Sequence, residues 1–167
     1  MVESGGFLIV LCGLPASGKT TVAELLNRRM DGVQIVSSDY LRSKGGSSRI
    51  WSRMAHEVRA GLSAGRTVIV DATNYSSAHR ERYVSISREM ALPHLVAYLR
   101  AGMPTLVERN RERKERIPTG AIGHLARLFE APGGDDTIRI DTEQSQPEQA
   151  AVTIIDRKAE IAADSIS

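Results

Sequence analysis

Residues 13–20, which read GLPASGKT, carry the clearest chemical signal of the sequence. They fit the pattern G-x-x-x-x-G-K-[ST], in which glycines let successive backbone N–H groups point inward at a polyphosphate. A short apolar run precedes them and a segment with helical spacing follows, so the positive end of a helix dipole adds to the site. We therefore predict that Lys19 binds the β- and γ-phosphates of ATP or GTP and that the Thr20 hydroxyl binds Mg²⁺. The residues predicted to contact the nucleotide are Gly13, Pro15, Ala16, Ser17, Gly18, Lys19, Thr20 and Thr21.

A second candidate is Asp71, which closes the apolar run at residues 67–70. Ligands of parallel α/β sheets bind at the carboxyl ends of the strands. The following Ala-Thr-Asn also favours a turn, so an aspartate that only caps a turn is the alternative. Beside a phosphate-binding loop, we predict that Asp71 lies near Mg²⁺ or near Thr20, on the metal and substrate side of the site.

Asp39 and Arg42 form a third candidate, in the stretch VSSDYLRS at residues 36–43. Both come just after a predicted strand, and one helical turn separates them, so they face the same side. A kinase needs a group that takes or orients the proton of its acceptor hydroxyl, and a carboxylate is the usual one. We predict that Asp39 does this and that Arg42 binds an anionic group on the acceptor. A helix-capping aspartate with an exposed ion pair to Arg42 is the alternative.

Arginines recur in the segment ERNRERKER at residues 108–116. The spacing predicts that Arg109, Arg113 and Arg116 share one helical face, with Arg111 elsewhere. We predict a lid over about residues 109–120 that brings a guanidinium group onto the transferring phosphate. Arg113 is the first choice for that arginine, with Arg109, Arg111 and Arg116 left open. The Arg80 and Arg82 side chains are predicted to lie on a solvated helix face, with an acceptor phosphate as the alternative.

The elements that must position these residues alternate between short apolar runs and segments with helical spacing. Such alternation predicts a parallel sheet covered on both faces, hence a three-layer α/β/α sandwich of the P-loop NTPase class with five strands and a helical lid. One domain over residues 1–167 is expected. The predicted strands cover residues 7–12, 33–36, 67–70, 94–99 and 137–140, and the predicted helices cover residues 19–30, 50–64, 77–90, 104–113, 121–129 and, after a capping box at Ser145 and Glu148, up to about 163.

Composition restricts the class of protein further. Apolar residues make up 41% and charged residues 25% of the chain, which is typical of globular proteins. The net charge of +2 is too small to indicate nucleic-acid binding by itself, so any basic surface must be local. The single cysteine, Cys12, lies in an apolar run and is predicted to be a core thiol. No apolar stretch of about 18 residues occurs and MVESGGF is not a signal peptide, so we expect a cytoplasmic protein with no membrane partner.

Two other classes of P-loop protein lack support in the sequence. No N-K-x-D motif typical of GTPases occurs, and the residue after Asp71 is Ala72 rather than the glutamate that motor ATPases use to activate water. A phosphotransferase is the simplest remaining class.

The segments GLPASGKTT, SSDYLR, VIVDATN and ERNRERKERIP together resemble the 5′-OH polynucleotide kinase family, in matching order over about residues 7–130. The resemblance implies that Asp39 is the general base on the 5′-hydroxyl and that Arg42 contacts the 3′-phosphate of the terminal nucleotide. It also implies that Arg113 is the lid arginine, with Arg109 at the start of that segment. The stretch HLARLFEAP resembles the kinases that phosphorylate seryl-tRNA.

We therefore expect an ATP- or GTP-dependent, Mg²⁺-dependent kinase of a polynucleotide 5′-hydroxyl end. Two alternatives stay open: a kinase of aminoacyl-tRNA or of a small metabolite, and a nucleotide-gated binding module that transfers nothing. The sequence does not predict the oligomeric state.

Overall fold

Five parallel strands form one sheet in the order β2-β3-β1-β4-β5, as a computed structural model of the chain shows. The model describes residues 5–45 and 48–167. Residues 1–4 and 46–47 of the predicted domain lie outside the described part. The first of these ranges is also the start of the segment MVESGGF. The strands are β1 (Phe7–Cys12), β2 (Val33–Ser37), β3 (Thr67–Asp71), β4 (His94–Arg100) and β5 (Thr137–Asp141).

Seven helices connect and cover these strands in the described part of the chain. Two separate helices, α2 and α3, lie between β2 and β3, and α5 and α6 both lie between β4 and β5. The helices are α1 (Lys19–Arg29), α2 (Ser38–Gly45), α3 (Ile50–Ser63), α4 (Ser77–Glu89), α5 (Met103–Glu112), α6 (Thr119–Leu128) and α7 (Pro147–Asp164).

Strand β1 shows why the apolar runs form a sheet with two covered faces. Its residues alternate between two cores: Leu8, Val10 and Cys12 pack with α2, α3 and α4, whereas Ile9 and Leu11 pack with α1 and α7. All are fully buried, as expected for a central strand of a parallel sheet. The predicted α/β/α sandwich with a five-stranded parallel sheet is therefore confirmed, and Cys12 is the predicted core thiol.

The start of α7 differs by one residue from the prediction. The helix begins at Pro147, and the capping box consists of Gln146 and Gln149 rather than Ser145 and Glu148. Proline suits the first position of a helix because it has no N–H to leave unpaired there, and this shifts the cap to Gln146. Among the described helices, none is long and apolar enough to cross a membrane.

The sheet brings the candidate residues to one edge. Since all strands are parallel, their carboxyl ends meet at the same side, and Asp71 lies in register with Leu11 of β1 and with Ser37 of β2. The loops that follow β1, β2 and β3 therefore start next to one another.

Candidate active site

The loop between β1 and α1 has a backbone that glycines make possible. Gly13 has a φ of 156°, and a Cβ there would lie 2.4 Å from the Leu99 carbonyl oxygen, so no other residue fits without a shift. Gly18 is left-handed, with a φ of 104°, at the N-cap of α1. Ala16 is also left-handed, with a φ of 69°. The alternation of backbone conformation is the arrangement that turns successive N–H groups toward one centre.

Lys19 lies in the first turn of α1 and is buried. Its ammonium donates hydrogen bonds to the carbonyl oxygens of Gly13 at 2.8 Å and Leu14 at 3.0 Å. Burial lowers the pKa of Lys19 to about 8, against the opposing effect of the Asp71 carboxylate. The loop thus encloses a cation whose charge is only partly compensated by neighbouring groups.

Thr20 and Asp71 are joined directly, because the Thr20 hydroxyl donates a hydrogen bond of 2.8 Å to Asp71 Oδ2. Burial raises the pKa of Asp71, and the Lys19 ammonium and the Thr20 hydrogen bond oppose that effect. The predicted proximity of these two side chains is what the structure shows. They offer two oxygen donors of the kind that Mg²⁺ takes. Over residues 5–45 and 48–167, no cluster of three or more His, Cys, Asp or Glu side chains offers a fuller metal cage.

Asp39 and Arg42 lie on α2, which directly follows β2. Arg42 Nη1 is 3.6 Å from Asp39 Oδ1, and both side chains are exposed, at 44% and 78% respectively. Burial dominates the pKa of both Lys19 and Asp71, and the charge of Asp39 adds a smaller upward contribution to each, so its carboxylate lies within electrostatic reach of the loop. The exposed ion pair that the alternative interpretation predicted is therefore present.

The arginine segment does not form the predicted helical face. Helix α5 ends at Glu112, and Arg113 is extended, with φ −73° and ψ 143°. The cause is Asn110, which is buried and whose side chain pairs with the backbone of Ile117 through bonds of 2.7 and 3.1 Å. That pairing folds the chain into a loop where a helix would otherwise continue through Arg116.

The four arginines of this segment differ in position. Arg109 donates to Thr142 Oγ1 at 2.9 Å and to the Thr142 carbonyl at 2.8 Å. Arg113 lines the same cavity as Arg109, and its charge contributes to the lowered pKa of Lys19. Arg111 is exposed and pairs with Glu108 at 3.3 Å, and Arg116 is exposed and absent from the residues that line the cavity.

The cavity next to the loop has a volume of about 500 Å³. Its inner wall is residues 16–22 of the loop and α1, and its outer wall comes from the segment between β5 and α7. The sequence indicated a helix cap in that outer segment but no nucleotide-binding motif. The residues that line its outer wall are Thr142, Glu143, Ser145, Gln146 and Pro147.

Two further polar residues brace the edge of the sheet. Asn74, left-handed with a φ of 49°, donates from Nδ2 to the Leu11 carbonyl at 2.7 Å. Arg80 is buried and donates to the Asn74 carbonyl at 2.8 Å. The predicted solvated face is therefore wrong for Arg80, because the start of α4 turns it under the strand edge, whereas Arg82 is exposed.

Known proteins resemble the chain in sequence and in fold. A family model described as an AAA domain matches residues 8–132. An L-seryl-tRNA(Sec) kinase of Methanococcus maripaludis is 30% identical over 140 residues, which are 75% of this chain and 53% of that protein. A bifunctional polynucleotide phosphatase/kinase of Schizosaccharomyces pombe is 24% identical over 130 residues, which are 75% of this chain and 30% of that protein. The chain therefore spans about half the length of the first of these relatives and less than a third of the second.

A likeness in fold extends over nearly the whole chain. The structure of the Mycobacterium tuberculosis APS kinase CysC, in complex with AMPPNP and APS, has a TM-score of 0.72 at 20% identity and covers 91% of this chain and 96% of that one. This similarity shows the three-layer fold that the two chains share.

Proposed function

The chain belongs to the AAA domain family, and from that membership and the site geometry we propose that it moves the γ-phosphate of ATP or GTP to the 5′-hydroxyl end of a polynucleotide. The family and the kinases among its relatives support a P-loop phosphotransferase, whereas the acceptor is our own step. The observation that carries the proposal is the meeting of Lys19, the Thr20–Asp71 pair and the Asp39 charge at one strand edge.

On the donor side, the loop amides and the Lys19 ammonium hold the phosphates of the nucleotide. Thr20 and Asp71 would hold Mg²⁺, which, when bound, neutralises charge on the β- and γ-phosphate oxygens. Two protein ligands are enough because Mg²⁺ usually keeps water and takes substrate phosphates as further ligands. The nucleotide base then extends toward the outer wall of the cavity, near Thr142 and Pro147.

On the acceptor side, Asp39 receives or orients the proton of the attacking hydroxyl. Its exposure leaves room for an acceptor to approach between α2 and the loop. Arg42, one turn further, exchanges its weak pairing with Asp39 for a charged group on the acceptor, such as the 3′-phosphate of the terminal nucleotide.

The segment at residues 109–120 acts as a lid of a single kinase domain. Arg113 belongs to the loop after α5 rather than to the helix, so its guanidinium can reach the transferring phosphate without moving α5. Arg109 is held by Thr142 on the donor side and braces the nucleotide there. Arg113 then stabilises the charge that develops on the transferring phosphoryl group.

An aminoacyl-tRNA acceptor is the second candidate. It is favoured by the 30% identity to the L-seryl-tRNA(Sec) kinase, which exceeds the identity to the polynucleotide phosphatase/kinase. The mechanism of the donor side would be the same, and only the group bound by Asp39 and Arg42 would differ.

The test is a transfer assay with Mg²⁺, γ-labelled ATP or GTP, and single-stranded RNA or DNA with a 5′-hydroxyl end. We expect label on the oligonucleotide with the wild-type chain and none with Asp39→Ala. Asp31→Ala, which removes another exposed aspartate outside the site, should keep full transfer. If the chain binds nucleotide but no oligonucleotide becomes labelled, the polynucleotide 5′-hydroxyl is excluded as the acceptor. Seryl-tRNA is then the next acceptor to offer. Free phosphate alone, with no labelled acceptor of any kind, would indicate a binding module that hydrolyses nucleotide.

A second pair of variants tests the lid. Arg113→Ala should reduce transfer by about 100-fold, because it removes a cation from the transition state. Arg111→Ala removes the same charge from the exposed side of the segment and should leave the rate within about twofold. Equal losses for the two variants would refute the role of Arg113.

A further inference from the structure

The ring of Trp51, in the first turn of α3, lies close to two arginines from other helices. Arg42 Cζ of α2 is 5.7 Å from the ring centroid, and Arg82 Cζ of α4 is 5.0 Å from it. His79 meets the same ring edge-on, with centroids 5.6 Å apart. The indole is only partly buried, so one aromatic ring and two guanidinium groups are presented together near the surface.

This cluster is continuous with the acceptor side of the active site. Arg42 contacts both the Trp51 ring and the Asp39 carboxylate, so it joins the two. Between residues 38 and 53 the sequence has four cationic side chains and one carboxylate, although the chain as a whole has a net charge of only +2. The net charge of +2 required any basic surface to be local, and these cations form one next to Asp39 in the sequence.

A broad groove leads away from the cluster between α3 and α4. It has a volume of about 580 Å³, and Trp51 and Arg82 form one part of its wall. His56 and Arg59 also line it, and Arg59 pairs with Glu89 at 2.7 Å. Arg82 has no carboxylate partner among the described residues, so its charge is available to an incoming anion.

We propose that this surface binds the nucleotides that follow the 5′ end of a single-stranded polynucleotide. One base stacks on Trp51 in place of a neighbouring guanidinium, Arg42 and Arg82 bind backbone phosphates, and the strand continues into the groove between α3 and α4. An aromatic ring next to arginines is the combination that holds single strands without sequence preference. The inference rests on the proposed function for the position of the 5′ end at Asp39, but the binding surface can be tested without transfer.

The test uses the fact that Trp51 is the only tryptophan of the chain. Its emission is followed during titration with single-stranded oligouridylate of about 12 nucleotides, a length within the range that such surfaces cover. Quenching that saturates is expected, because a base stacked on the indole quenches its emission. The same oligomer annealed to its complement should quench less, since its paired bases are not free to stack on the indole.

A matched pair of variants isolates the surface. Arg82→Gln should weaken binding by about fivefold to tenfold and lower the slope of log affinity against log salt by about 0.7, the value for one phosphate contact on a single strand. Arg139→Gln is the control, because Arg139 is also exposed and lies 5.6 Å from the Tyr98 ring, away from the groove. Both variants should unfold at the wild-type temperature.

The outcomes separate this inference from the proposed function. Quenching with a selective effect of Arg82→Gln supports the surface, and it does so even if no transfer occurs, in which case only the acceptor assignment is lost. Transfer to the oligomer without quenching, or equal effects of Arg82→Gln and Arg139→Gln, overturns the surface and leaves the proposed function standing. Neither quenching nor transfer overturns both.

Discussion

The phosphate loop and helix α2 both start at the carboxyl edge of the sheet, but different interactions hold them in place. The loop is tied to its surroundings by buried bonds, among them Lys19 to the Gly13 carbonyl and the Gly13 N–H to the Thr73 carbonyl at 3.1 Å. Strand β1 before it is paired on both sides, whereas β2 before α2 is an edge strand. The polar pair of α2, Asp39 and Arg42, is exposed.

Under the proposed function, this difference would separate a fixed donor side from an adaptable acceptor side. Buried and mutually bonded groups hold a geometry that electrostatic stabilisation requires, because they need no rearrangement when charge develops. Exposed side chains on a helix after an edge strand can exchange partners at little cost in free energy. The arrangement fits a chain whose two relatives described above are named as kinases of different acceptors.

The largest expected effect is that of Lys19→Met. We expect transfer to fall by about 1000-fold or more, because the phosphates lose their nearest cation. The unfolding temperature should change little, because removal of a buried charge offsets the loss of the hydrogen bonds from Lys19 to the Gly13 and Leu14 carbonyl oxygens. Single-turnover transfer and thermal unfolding measure the two quantities. A fall in unfolding temperature together with activity would show that the Lys19 hydrogen bonds also stabilise the loop, and the loss of transfer would then reflect the loop structure as well as the lost phosphate contact.

A pH series of the stability of the wild type and of Lys19→Met tests the lowered pKa of Lys19. Burial lowers the pKa of Lys19 from 10.5 to about 8, so between these values the unfolded chain binds a proton that the folded chain has released. Stability of the wild type relative to Lys19→Met should therefore rise with pH across this window, by up to about 3 kcal/mol. Denaturant unfolding at several pH values measures it. A flat difference would mean that the folded protein does not lower this pKa.

On the acceptor side, Asp39→Asn should separate activity from stability. Transfer should fall by about 100-fold because the group that takes the proton is lost. The free energy of unfolding should change by less than about 0.5 kcal/mol, since the ion pair removed is exposed. Transfer kinetics and denaturant unfolding check the two halves. A large loss of stability in Asp39→Asn would show that α2, like the phosphate loop, is held by its polar side chains.

The smallest effect is expected for Arg42→Gln. The KM for the acceptor should rise by about tenfold, the value of one hydrogen bond to a charged group, while kcat and the unfolding temperature stay the same. Steady-state kinetics with varied oligonucleotide concentration measure the split. A fall in kcat at constant KM would instead assign Arg42 to the transition state.

The sequence predicted the parts of the molecule in which local pattern and tertiary structure agree. The apolar run at residues 7–12 is long enough for one strand and has no polar face. It therefore predicted a central strand that is buried on both faces. The same logic placed Asp71 at the edge where the loop begins, and the hydrogen bond to Thr20 agrees with it. The catalytic roles of Asp39, Arg42 and Arg113 stay predictions.

The failures come from bonds between residues that no periodic pattern connects. Helical spacing placed Arg113 and Arg116 on one face with Arg109, but the helix ends at Glu112 and the pairing of Asn110 with Ile117 folds the following residues into a loop. Arg80 has the sequence context of an exposed helical residue, yet the Asn74 carbonyl holds it under the strand edge. The outer wall of the cavity follows β5 and carries no nucleotide-binding motif in the sequence, because its residues reach the cavity only through the tertiary fold.

The strand order has a consequence for the birth of this protein on the ribosome. Strand β1 is synthesised first, but Phe7 pairs with Thr67 and Leu8 pairs with His94. The apolar residues 7–12 must therefore wait without a strand partner until β3 has left the exit tunnel, and without their second partner until β4 has followed, since contacts distant in sequence form late. We expect a nascent chain stalled before residue 94 to expose that segment to chaperones, and the nucleotide loop to take shape only after β3 and β4 have enclosed β1.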